Sequence, residues 1–139
     1  MSRAIENLEE AMQFAVSIRP KVGGFPYLAE VLRQAGVTRN IWTLPSCQSL
    51  YLTSNGSVVI QGSPLATGKL DVPKFDQEGL IHALRKDQAG QSTFPDFLKA
   101  SWEAGVVGYN VDFQGRKVTY FGALGETYIE DYPTVEVKR

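Results

Sequence analysis

A single cysteine, Cys47, and a single histidine, His82, deprive this chain of the raw material for most recognisable site chemistry. One thiol forms no internal disulfide and no thiolate cluster, and one imidazole forms no multi-histidine zinc site. Charge of one sign is missing too. The 14 basic and 15 acidic residues give a formal −1, without the electrostatic footprint of a general phosphate-backbone binder, so nucleic acid is a poor partner. No apolar run approaches the roughly 20 residues that span a bilayer. The N-terminal stretch Met-Ser-Arg-Ala-Ile-Glu-Asn-Leu-Glu-Glu mixes charges where a signal peptide carries a basic region and then an apolar one. The expectation is a cytoplasmic protein with no membrane segment, no metal and no cofactor.

What the chain does have is a repeat. Ala35-Gly36-Val37 recurs as Ala104-Gly105-Val106, and each copy follows a Phe-Pro pair, Phe25-Pro26 and Phe94-Pro95, by the same interval. At this offset of 69 residues, positions 25–62 and 94–131 share 8 identities in 38, where average residue usage gives roughly 2 or 3. A duplicated unit fixes architecture more firmly than any single motif. With 139 residues, 43% of them hydrophobic, the chain can bury one core and reads as a single domain over 1–139. Its two repeats cover about 4–62 and 74–131, joined by a linker at 62–73.

Within each repeat the periodicities run helix, helix, three strands. Ile5, Leu8, Met12 and Ala15 stripe a helix over 4–18. Pro26 sits in the first turn of a second helix, which Gly36 ends in a left-handed cap. Strands follow near 40–44, 49–54 and 57–61, with Asn55-Gly56 suited to a type I′ hairpin turn. In the second copy Asp76 caps a helix over 77–88, Thr93 and Asp96 cap the next, and strands fall near 107–113, 116–121 and 126–131. The fold class is α+β. One six-stranded, mainly antiparallel sheet, or two packed three-stranded ones, carries helices on one face.

Strand parity assigns the faces. A loop at Gln114-Gly115 matches Asp112 with Lys117, Val111 with Val118 and Tyr109 with Tyr120. Tyr109, Val111, Phe113, Val118, Tyr120 and Ile129 then share the core side, with Asn110, Asp112, Lys117, Thr119, Phe121, Tyr128 and Glu130 opposite. In the first meander Trp42, Leu44, Tyr51, Val58 and Ile60 face the core. The other face carries Ile41, Leu50, Leu52 and Val59, joined by Phe121 and Tyr128 if both meanders share a sheet. Such an apolar patch on a soluble protein marks an interface or ligand surface, unless helices sandwich it.

Candidate catalysts are few. Cys47 lies in the turn Pro45-Ser46-Cys47-Gln48, and a Cys47–His82 dyad is the minimal nucleophile-plus-base arrangement. His82 equally suits a solvated helix face between Glu78 and Lys86. Asp112 and Glu130, if they share a face, can divide acid and base roles, with Lys117 beside them favouring a plain charge ladder. Gly62 to Leu70 lacks the spacing and the hydroxyl of a phosphate loop. Trp42 and Trp102 read as packing.

The runs Arg-Pro-Lys-Val-Gly-Gly-Phe-Pro (19–26), Ala-Gly-Val-Thr-Arg-Asn (35–40), Leu-Pro-Ser-Cys-Gln-Ser (44–49), Val-Thr-Tyr-Phe-Gly (118–122) and Gly-Glu-Thr-Tyr (125–128) resemble a family of small bacterial proteins. Many are carried on enterobacterial prophages; the family is catalogued as a domain of unknown function, and some members bear the label "phage envelope protein". The resemblance covers nearly the whole chain and implies a compact cytoplasmic domain of prophage origin. It brings no catalytic residues. Together these features favour a non-enzymatic binding or interaction module, self-associating or meeting a protein partner through its outer sheet face. The alternative is a small hydrolase using Cys47 or the Asp112/Glu130 carboxylates. A third reading, a small-molecule site between the two repeats, requires a cleft.

Overall fold

The computed structural model describes residues 2–138. Helix α1 (Arg3–Ile18) is capped by Ser2, whose Oγ accepts from the Ile5 N–H at 3.2 Å. Its deepest line is Ala4, Leu8, Ala11 and Ala15, with Ile5 and Met12 on the flanks. Small side chains at three of these four positions allow close approach to the layer beneath. Helix α2 (Phe25–Gln34) carries Pro26 in its first turn, where no backbone N–H is needed. Gly36, at φ +95°, then turns the chain into the sheet.

The first meander is β1 (Val37–Thr43), β2 (Gln48–Thr53) and β3 (Val58–Gln61). The second repeat follows as α3 (Gln77–Gln88), α4 (Phe94–Glu103), β4 (Val106–Asp112), β5 (Lys117–Gly122) and β6 (Thr127–Asp131). The capping residues are those expected: Asp76 Oδ1 accepts from the Gly79 N–H at 3.0 Å, and Thr93 Oγ1 from the Asp96 N–H at 3.2 Å.

The six strands form one sheet in the order β3-β2-β1-β4-β5-β6, with every neighbouring pair antiparallel. The two repeats therefore meet at β1 and β4, with Ile41 opposite Asn110. Those two positions are 69 residues apart, so the local symmetry of the duplication passes through this pair. All four helices lie on one face of the sheet.

Two local expectations fail. Asn55-Gly56 is not the centre of a type I′ turn. The Gly56 N–H closes on the Thr53 carbonyl at 3.2 Å, and Thr53 Oγ1 accepts from the Asn55 N–H at 3.1 Å. Thr53 thus organises the loop with its own hydroxyl, and only Gly56 takes positive φ.

The second failure flips a strand. Phe121 pairs with Thr127 and Tyr120 with Tyr128, so an odd number of residues, 122–126, lies between the last paired residue of β5 and the first of β6. Parity inverts relative to the even loop assumed from sequence. Tyr128 and Glu130 therefore face the helices, whereas Ile129, 55% exposed, faces outward opposite Thr119. Asp131 lies opposite Lys117 on the outer face. The first repeat pairs Tyr51 with Val58, one residue earlier than its duplicate, so the 69-residue register ends at this loop.

Candidate functional site

The inner face of the sheet carries two cross-strand rows. One runs Val58, Tyr51, Asn40, Val111, Val118 and Glu130; the other runs Ile60, Ser49, Trp42, Tyr109, Tyr120 and Tyr128. Four aromatic rings stand side by side in the second row. Trp42 stacks on Tyr109 with centroids 5.8 Å apart and planes at 11°, Tyr109 lies 5.4 Å from Tyr120, and Tyr120 lies 6.5 Å from Tyr128. From α4, Phe94 meets Trp42 edge-on at 5.3 Å. Each such contact adds about 0.5–1.5 kcal/mol beyond area burial.

The duplication explains why this layer is not solid. The offset that relates Ile41 to Asn110 relates Trp42 to Val111 and Asn40 to Tyr109. On one side of the local axis two rings pair, Trp42 with Tyr109; on the other, Asn40 pairs with Val111. Two large side chains are thus matched by two small ones, and the difference in volume is left as space. A cavity of about 280 Å³ lies between the sheet and the helices, walled by Trp42, Tyr109, Tyr120 and Phe94 with Phe97, Phe113, Leu28, Leu32 and Leu84. It shares Arg19, Phe25, Asp87, Gln88, Phe94, Glu130, Asp131 and Tyr132 with a wider surface groove between the α1–α2 connection and the end of α3. The groove gives the chamber a way in.

Polar groups reach the chamber at defined points. Asn40 is 6% exposed and fully engaged: its Oδ1 accepts from Trp42 Nε1–H at 2.7 Å, and its Nδ2 donates to the Leu50 carbonyl at 3.2 Å. The Tyr109 and Tyr120 hydroxyls hydrogen-bond to no described residue. Since no fully enclosed side-chain polar atom among the described residues lacks a partner, both hydroxyls open onto the chamber. Burial, ahead of the repulsion of nearby acids, raises both phenols above the ordinary tyrosine range and keeps them protonated donors.

The mouth is charged. Arg85 of α3 is ion-paired with Glu130 of β6, and Gln88 donates to the same carboxylate at 3.4 Å. Asp87, in the last turn of α3, accepts from Ser92 Oγ at 3.4 Å. Burial raises its pKa, opposed by that hydrogen bond and by the charge of Arg19. Tyr132 packs edge-on against Phe25 at 5.2 Å, and burial pushes its phenol up to about 12.

The residues singled out from sequence are not brought together here. Cys47 is buried in the β1–β2 turn, and burial raises its thiol pKa, the reverse of nucleophile activation. His82 is exposed on α3, and no contact joins it to Cys47. Asp112 lies on the outer face, 3.9 Å from Arg39, while Glu130 faces inward; the inverted parity of β6 separates them. Ile41, Leu50, Leu52, Val59 and Phe121 do occupy the outer face, without Tyr128, which is the last ring of the inner row. Among the described residues no group of three His, Cys, Asp or Glu side chains is placed to hold a metal, and no helix is long and apolar enough to cross a membrane. Asp87 and the two phenols were missed because their significance depends on the cavity, although Trp42, Tyr109 and Tyr120 were all assigned to the inner face.

Comparison with known proteins corrects the sequence-based attribution. Proteins described as uncharacterized, Rv2012 of Mycobacterium tuberculosis and Mb2035 of Mycobacterium bovis, are each 52% identical over 136 residues, covering 98% of this chain and 83% of theirs. These relatives are actinobacterial, not enterobacterial or prophage-borne, and the "phage envelope" label has no counterpart among them. The family model for "Protein of unknown function (DUF1398)" matches residues 15–131, from the last turn of α1 to the end of β6. The chain belongs to the DUF1398 family.

Proposed function

We propose that this protein is a binding module that takes a small organic molecule into the aromatic chamber between its sheet and its helices. The observation that carries this reading is the pair of hydroxyls on the buried residues Tyr109 and Tyr120, bonded to no described residue and opening onto a cavity of about 280 Å³. A mostly apolar recess with a few convergent polar groups is the usual form of a small-ligand site. Val111→Phe tests the reading, since it restores at the small side of the repeat the bulk that Trp42 supplies on the other. Ligand-observed NMR with small aromatic solutes such as indole is expected to detect binding to the wild type. Binding to the variant should be weaker by more than about tenfold, at an unchanged melting temperature, because a filled cavity offers neither space nor displaced water. Equal binding to both would remove the cavity as the site.

A second reading concerns the open side of the sheet. There Val59, Leu50, Ile41, Asn110, Thr119 and Ile129 form one unbroken row across all six strands. Beside it Leu52, Arg39, Asp112, Lys117 and Asp131 alternate in charge after the first position. No helix covers this face, and its apolar half belongs to the first repeat, which supports self-association there. Sedimentation velocity at high micromolar concentration is expected to show a dimer that Leu50→Asp disperses to folded monomer. A wild type that stays monomeric, or a variant that fails to fold, would exclude this use of the surface.

A further inference from the structure

We propose that the molecule the chamber takes is a small organic cation, an amine or quaternary ammonium with apolar substituents, seated on the aromatic row with its charge toward Asp87. This rests on the chamber being a ligand site and adds the sign of the ligand's charge. The first argument is the wall. Trp42, Tyr109 and Tyr120 stand as a continuous row of rings along it, closed from above by Phe94 and Phe97. Ring faces carry negative potential, attract cations and repel anions, most strongly where water is excluded.

The second argument is charge. The lining holds the carboxylates of Asp87, Glu130 and Asp131 against one basic residue, Arg19, and contains no lysine or histidine. Glu130 is taken by Arg85, and Asp131 lies opposite Lys117 on the other side of the sheet. Asp87 is left, in no ion pair with a described residue; Ser92 donates to it at 3.4 Å, and Arg19 acts on it only as a more distant charge. It occupies the last turn of α3 (Gln77–Gln88), where the negative end of the helix dipole disfavours a carboxylate and favours a cation. A carboxylate in this place is a local liability that a bound cation would relieve.

The third argument is the pair of hydroxyls. Tyr109 and Tyr120 are 6% and 5% exposed, and with no described partner they offer oxygen lone pairs to an N–H or to the polarised C–H groups of an ammonium. An anion would meet π faces and carboxylates together. An uncharged body would fit the space and gain nothing from Asp87.

Isothermal titration of the full chain with three probes of similar shape separates these cases: benzyltrimethylammonium, its uncharged carbon isostere neopentylbenzene, and phenylacetate. The cation is expected to bind at least about tenfold more tightly than either of the others, as a desolvated cation–π contact allows. Asp87→Asn should abolish most of that preference while melting no lower than wild type, because burial already disfavours its charge. Tyr120→Leu should flatten the preference independently. Tightest binding of neopentylbenzene would overturn the charge assignment and leave the chamber as a ligand site. Tightest binding of phenylacetate, or an undiminished preference in Asp87→Asn, would overturn the assignment as well. Binding of none of the three would overturn it together with the reading on which it rests.

Discussion

Gly105→Ala is expected to cost at least about 3 kcal/mol of folding stability, whereas Gly36→Ala, at the equivalent place in the other repeat, costs about 1–2 kcal/mol. Both glycines end a helix in the left-handed region, at φ +86° and +95°, so the backbone penalty for a Cβ is common to both. Their surroundings differ. A Cβ on Gly36 meets the Ser54 hydroxyl, the end of a side chain on an exposed turn that can rotate away. A Cβ on Gly105 would lie 2.6 Å from both the Lys74 carbonyl oxygen and the Phe75 Cα. These are backbone atoms, and the segment that carries them is tied down where the Asp76 N–H donates to the Ala104 carbonyl at 2.8 Å. Relief requires moving the end of the linker, and with it the cap on α3. Since a domain of this size holds only about 5–15 kcal/mol in total, the Gly105 variant should show a large shift of its urea midpoint. Equal losses at the two positions would mean that the linker is not locked against the second repeat.

That asymmetry shows what the sequence could and could not reveal. The identities at Phe-Pro and Ala-Gly-Val mark the points at which each copy starts its second helix and enters its first strand. Backbone demands there are specific to Pro and Gly, so they survive divergence and are readable. Hence the α+β class, the helix-helix-meander unit and the pairing of Tyr109 with Tyr120 could all be read, and all appear. Register past the β5–β6 loop could not be read. Gly125 keeps its positive φ, as Gly56 does, while one extra residue inverts the strand, and only the β5–β6 ladder records the insertion. Tyr128 and Glu130 were assigned to the wrong face for that reason alone. The cavity lay further out of reach. Asn40 opposite Val111 and Trp42 opposite Tyr109 become a difference of volume only once β1 and β4 are known to be neighbours, and composition carries no trace of that adjacency. Asp87 carries no signal in the sequence, because its meaning comes from the chamber it lines.

Trp42→Ala is the second substitution with a large expected effect, and its reversal is more informative than its size. The indole is half-buried, stacked on Tyr109, met edge-on by Phe94, and hydrogen-bonded through Nε1 to Asn40. Deleting it removes the first ring of the inner row and strips Asn40 Oδ1 of its donor, at a cost of about 3 kcal/mol, the lower end for a tryptophan truncation. Trp42→Phe keeps a ring and loses the hydrogen bond, which costs about 1 kcal/mol. The space opened by Trp42→Ala is continuous with the chamber, so free indole should enter it. At a hundred times its dissociation constant, bound indole would return about 2.7 kcal/mol, nearly the whole loss, by mass action. Trp102→Ala is the control. Trp102 is also half-buried and packed against the core, but it belongs to α4 and does not line the chamber. Thermal melts of both variants in a series of indole concentrations decide the matter. Rescue of Trp42→Ala alone is the expected result. Rescue of neither variant, or of both equally, would mean that the aromatic row is ordinary packing and that the space beside it admits nothing.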